Sequence, residues 1–128
     1  MIQKNPIVKE NYSVVKTMSI INDYGSGVAI VVSEDKKYLG LVTDGDIRRA
    51  IISGFSPQDK IKKIVNKEAI KGAPSDDRDE LIRKLSLDLM TIPIVDENNN
   101  FIELLQFKNL NIPAAKPGLH GNELLYLT

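Results

Sequence analysis

Two stretches of this 128-residue chain read alike at a spacing of 63 positions, VAIVVSEDKKYLG from Val28 and TIPIVDENNNFIE from Thr91. Internal self-similarity constrains a fold more than any single motif. In each stretch an apolar, largely β-branched run (28–32; 92–95) meets a polar turn (34–37; 97–100) and then a second apolar run (38–42; 101–105). That is the pattern of a β-hairpin. Two half-size copies in so short a chain must share a core to be stable.

Each hairpin follows a helical pattern. Residues 13–23 carry Val14, Val15 and Met18 as the core-facing set, and residues 79–90 carry Leu81, Ile82 and Leu85. These sets match at an offset of 67, so four residues of length difference are expected in the helix-to-strand loop, where the first copy has Tyr24-Gly25-Ser26-Gly27. A second helix is predicted over 44–53, stopped by Gly54 with Pro57 soon after. Residues 60–65 form a short amphipathic piece, and Ala69-Ile70 is read as the strand opening the second copy, matching Ile7-Val8. Each copy is therefore expected to run β-α-β-β-α, an α+β fold with the copies at 1–56 and 57–112. The last helix of the second copy is short, because Pro113 closely follows Phe107 and Leu110. Residues 113–128 read as a tail or linker.

Charge and composition exclude several functions. Seventeen basic and seventeen acidic residues cancel, so the long-range field that draws a protein to nucleic acid or to an anionic membrane is absent. There is no cysteine and a single histidine, His120. No disulfide framework or Cys/His metal cluster can be built, and a reducing cytoplasmic setting fits. Apolar runs are too short to span a bilayer, and residues 1–5 have no signal core behind them, so no export is expected.

The densest chemistry lies in the run LGLVTDGDIRRAI from Leu39, which passes from a strand end into a helix start. The first turn of a helix presents unpaired N–H groups and the positive end of the dipole, a ready anion site. Gly45 allows close approach to the backbone. The Thr43 hydroxyl can donate to a phosphate oxygen, Asp46 can accept from two ribose hydroxyls, and Arg48 or Arg49 can grip phosphates. Thr43-x-x-Asp46 is also a capping box, and Arg48 and Arg49 also suit the solvated face of a helix. The residues alone leave both readings open.

The run resembles the G-h-h-T-x-x-D signature (h apolar) of cystathionine-β-synthase (CBS) domains, set after a strand-helix-hairpin pattern in the first of two copies. The resemblance covers about residues 5–112. It implies a CBS-domain pair with a pseudo-twofold axis, a regulatory module that senses a ligand and does no chemistry of its own. The implied ligand is an adenine nucleotide, AMP, ADP or ATP, or a sulfonium relative. The same resemblance gives phosphate and ribose recognition to Thr43 and Asp46, and a base slot to Ile7, Val28 and Ala29. The second copy departs from the signature, with Glu103, Gln106 and Asn109 where the first has Gly40, Thr43 and Asp46, so its site is expected to be empty or altered. TDGDIRRAI, IVNKEAI and ELLQFKNL are further similar to CBS pairs that precede sugar-phosphate nucleotidyltransferase domains, which makes such a domain a candidate partner.

The same residues admit other readings. Asp44-Gly45-Asp46 after an apolar strand resembles the aspartate pair of haloacid-dehalogenase phosphatases, but a hairpin repeat lacks the parallel sheet and the distant Lys and Asp that this chemistry needs. Ser75-Asp76-Asp77 reads as a helix cap, and His120 as a solvated tail residue. A module that keeps the fold but binds no ligand is the main competing function. Finally, Ile20 and Leu87, 67 apart, each lie roughly 160° around the helix from Met18 and Leu85. With the flat dimers known for the resembled family, this predicts a homodimer with Ile20 and Leu87 in its interface.

Overall fold

The computed structural model describes residues 6–86 and 89–107. The chain divides into two compact units, one reaching Ala69 and the other starting at Ile70, with the turn residues Asn98–Asn100 grouped with the first.

In the first unit, β1 (Ile7–Lys9), β2 (Val28–Val32) and β3 (Tyr38–Thr43) form a sheet in that order, β1 parallel and β3 antiparallel to β2. Every residue of β2 is buried, as a central strand of Val, Ile and Ala should be. Helix α1 (Val14–Tyr24) starts at Ser13, whose side chain accepts from the Lys16 N–H, and stops at Gly25 in the left-handed region, whose N–H donates to the Ile21 carbonyl. Helix α2 (Asp44–Ile52) follows β3 without a break. Val8, Val14, Ile21, Ala29, Val31, Val42, Ile47 and Ile61 pack as one core.

Ile61 enters that core from a 3-10 turn, Ile61–Lys63, in the connection between the copies. This connection is stitched to the first copy by its backbone. The Val14 and Val15 N–H groups, which a helix start leaves unpaired, donate to the Asp59 and Pro57 carbonyls, and Ile61 N–H donates to the Tyr12 carbonyl. Leu41 and Asn66 exchange both of their backbone hydrogen bonds. Residues 57–69 thus pack with the first copy, although the repeat pattern places the copy boundary after residue 56.

In the second unit, α3 (Arg78–Lys84) is capped by Asp77, and β4 (Thr91–Val95) pairs antiparallel with β5 (Phe101–Gln106). Leu81, Leu85, Ile92, Ile94, Leu105 and Phe107 form its core. Both expected hairpins are present, and their turns agree in detail: Lys36 and Asn99, 63 apart, both take a φ of 66°. The strand expected at Ala69-Ile70 is absent. Gly72 instead makes a single parallel bridge to Ile94, and Ile70 is exposed. The helix expected after Phe107 lies outside the described residues.

The helix register also needs correction. Val8 and Gly72 pair with equivalent strand positions, and Ser13 and Asp77 cap equivalent helices, so the offset there is 64 and the loop into the hairpin differs by one residue, not four. The expected match relied on Val15 and Met18 facing the core, yet both are exposed; the buried set of α1 is Val14, Thr17 and Ile21. On the cap register Thr17 and Ile21 fall on Leu81 and Leu85, which are likewise buried. Ile20 then corresponds to Lys84, and it packs against the first core instead of pointing outward. The paired apolar patch that suggested an Ile20 and Leu87 interface is therefore lost; Leu87 itself lies outside the described residues. No helix among the described residues is long and apolar enough to cross a membrane.

Candidate functional site

Thr43 ends β3 in extended backbone and serves as the N-cap of α2. Its Oγ1 accepts from the Asp46 N–H at 3.0 Å, and its own N–H donates to Asp46 Oδ2 at 3.0 Å, closing the capping box in both directions. Asp46 Oδ1 accepts from Arg49 Nη2 at 2.8 Å. The guanidinium reaches back over the first turn: a Cβ on Gly45 would lie 3.2 Å from Arg49 Nη1. Thr43, Asp46 and Arg49 are thus brought together, with the Thr43 hydroxyl proton and further lone pairs of Asp46 left for a ligand.

Arg48 is not part of this group. It lines a cleft of about 230 Å³ with Met18, Asp44, Ile47, Ile51 and Ile52, on the α1 side of the helix. Asp44 goes with it, so the two carboxylates of Asp44-Gly45-Asp46 serve different surroundings. Among the described residues no group of His, Cys, Asp or Glu side chains is placed to hold a metal ion.

The base-slot residues are sorted by strand alternation. Val28 stands directly across the ladder from Thr43, and the Gly27 carbonyl accepts from the Asp44 N–H at 3.1 Å, which draws the loop before β2 to the start of α2. Ile7 pairs with Ile30 and Ile30 with Leu41, which puts Ile7, Val28 and Thr43 on one face of the sheet. Ala29 belongs to the opposite face, in the helix-packed core, so only its backbone is available to a ligand. Ile7 is half exposed while Val28 is buried. Sequence reasoning missed Ser26, whose buried hydroxyl donates to the Val28 carbonyl at 2.8 Å and shapes the same loop. Its place between two glycines, both at positive φ, was the available sign of a built turn.

Gly40 has a structural duty of its own. A Cβ there would fall inside van der Waals contact of the Asn66 carbonyl, a backbone group that cannot swing aside. The second copy places Glu103 at this position, in a forked pair with Arg78 (3.0 and 3.1 Å), and a buried Gln106 at the Thr43 position, opposite Thr91. Asn109 lies outside the described residues. Asp77 caps α3 by accepting from the Asp79 N–H, and Asp76 accepts from the Ala73 N–H, so both act as turn and cap groups.

The Arg78 hydrogen bond holds Glu103 below the ordinary carboxylate range, with partial desolvation opposing it and the Arg78 charge adding to it. A lowered folded value contributes stability above the unfolded value, near 4.5, and that contribution is lost as pH falls through the folded value. The pair is largely solvated, which keeps the contribution small. An NMR titration is expected to place the Glu103 midpoint below 4.5, and Arg78→Met to return it to the ordinary range. A midpoint that Arg78→Met leaves unmoved assigns the shift elsewhere.

Comparison with known proteins bears on the fold that carries this site. Residues 1–53 match the family described as CBS domain. The chain is 28% identical over 105 residues to homoserine O-acetyltransferase of Methanosalsum zhilinae, covering 81% of this chain and 21% of that protein. It spans less than a third of the length of the curated relatives it matches. Among solved structures, the CBS domain pair of protein MJ0100 in complex with 5′-methylthioadenosine and S-adenosyl-L-methionine superposes with a TM-score of 0.68 at 19% identity, over 82% of this chain and 87% of that one. CBSX2 in complex with AMP gives a TM-score of 0.68 at 17% identity, over 81% and 82%. Residues 1–53 are therefore similar in sequence to a CBS domain, and the fold is the mixed α+β architecture of CBS-domain pairs.

Proposed function

We propose that this chain is a regulatory module that binds an adenosine nucleotide at the Thr43-x-x-Asp46 site of its first copy and controls an attached or partner enzyme. The observation that carries the reading is the Thr43 and Asp46 box itself, set at the helix start that faces Val28 and the Gly27 carbonyl. It joins a hydroxyl and a carboxylate at the positive end of α2, within reach of one ligand. MJ0100 and CBSX2 were solved with adenosine compounds, which favours an adenosine-containing ligand. The second copy, with Glu103 committed to Arg78, supports one nucleotide per chain.

The module itself carries out no reaction in this proposal. That an enzyme responds is supported by the small share of homoserine O-acetyltransferase that the chain spans. A sugar-phosphate nucleotidyltransferase as that enzyme rests on the sequence resemblance alone, as does the pairing of two copies now that Ile20 is a core contact.

The competing reading, a module with this fold and no ligand, is favoured by one fact: both Asp46 oxygens already have partners. Calorimetry with AMP, ADP, ATP and S-adenosyl-L-methionine separates the two. At least one of these is expected to bind the parent chain. Asp46→Ala is expected to weaken it by about tenfold or more while costing the fold about 1 kcal/mol through the lost cap. Asn109→Ala should leave affinity unchanged. Equal affinity of the Asp46→Ala chain and its parent refutes the site, and no binding to the parent favours the ligand-free module.

A further inference from the structure

We infer that Arg49 sets the preference of the Thr43 and Asp46 site for phosphorylated over unphosphorylated nucleosides, by occupying the Asp46 carboxylate until a phosphate draws it away. The inference rests on the nucleotide reading above and names what controls the site's selectivity.

The geometry is specific about which oxygen is at stake. Asp46 Oδ2 is turned back into the capping box on the Thr43 N–H, and Oδ1 carries the Arg49 contact at 2.8 Å. A ribose diol, which donates its hydroxyls to this carboxylate, competes with Arg49 for Oδ1. A nucleoside offers Arg49 nothing in return. A nucleotide offers a phosphate, which suits the planar fork of a guanidinium better than one carboxylate oxygen does.

Arg49 is also held where a cation is least at home. It belongs to the last turn of α2, where a positive charge is favoured by the helix dipole, yet its guanidinium folds back to Gly45 in the first turn, where the dipole is positive. Asp46 holds it there, through the 2.8 Å contact of Oδ1 with Nη2. Its side chain is 72% exposed, so the guanidinium is free to turn toward an incoming anion. A phosphate at the start of α2 would meet the positive end of the dipole and receive Arg49 together, releasing Asp46 Oδ1 to the ribose. Arg49 acts here as a positioning residue for Asp46 before binding and as a phosphate contact after it.

The test is calorimetry of the parent chain and Arg49→Met with adenosine and with AMP. An exposed ion pair is weak, so its removal is expected to tighten adenosine by only about two- to fivefold. Loss of the charged contact should weaken AMP by about tenfold or more. The ratio of AMP to adenosine affinity therefore falls by more than an order of magnitude, and Arg49→Lys, which keeps the charge without the fork, restores part of it. An unchanged ratio, or adenosine weakening in step with AMP, overturns the inference while leaving the nucleotide reading intact. If the parent binds neither compound, this inference fails; the nucleotide reading fails with it only if ADP, ATP and S-adenosyl-L-methionine do not bind either.

Discussion

Gly40→Ala is expected to cost the chain about 3 kcal/mol, the upper end of overpacking penalties, and to lower Tm by more than about 10 °C. The Cβ would collide with the Asn66 carbonyl oxygen and carbon. Both belong to a backbone pinned by two hydrogen bonds to Leu41, so relief requires the connection to leave the edge of β3. Gly45→Ala is the matched control. Its Cβ meets only the exposed end of Arg49, and alanine gains up to about 1 kcal/mol over glycine within a helix. Scanning calorimetry should rank the three chains Gly45→Ala, parent, Gly40→Ala in falling Tm. A Gly40→Ala chain as stable as its parent would show that the Leu41 and Asn66 bridge yields freely.

Ile61→Ala should be comparably severe. The residue is fully buried and packs in the first core, so truncation leaves a cavity costing about 2–5 kcal/mol. Ile52→Ala, at a residue 78% exposed, should stay within about 0.5 kcal/mol of the parent. Urea melts read both, as a lower midpoint at unchanged slope for Ile61→Ala. Equal midpoints for the two variants would mean that the connection is a tether and not part of the core. Because the loss arises in a segment between the copies, the result also tests whether an excised first copy needs residues 57–69, which pack with it, in addition to 1–56.

How far the sequence could be read depended on whether its pattern was local. The hairpins were legible because alternating apolar runs around a polar turn have few other solutions, and Lys36 and Asn99 at matching positive φ confirm their equivalence. The Thr43 and Asp46 box was legible because a capping box is set by residues three apart. The helix faces were misread. Val14, Val15 and Met18 satisfy a helical period, but so do Val14, Thr17 and Ile21, and the second set is buried. Thr17 escaped notice because a hydroxyl lowers apparent hydropathy, although it is satisfied inside the helix by the Ser13 carbonyl at 2.9 Å.

The sequence by itself determined the elements whose hydrogen bonds close within a few residues: the two hairpins and the caps at Thr43 and Asp77. Only the tertiary structure decided which side of each element meets a neighbour. It assigned Ala29 to the core and Val28 to the face of Thr43, sent Arg48 and Arg49 to different sides of α2, and gave Gly40 its reason in the Asn66 carbonyl. The physical difference is one of range. Caps and turns are settled by groups that the chain brings together within one turn, whereas packing compares alternative faces whose partners lie tens of residues away, and no local pattern carries that comparison.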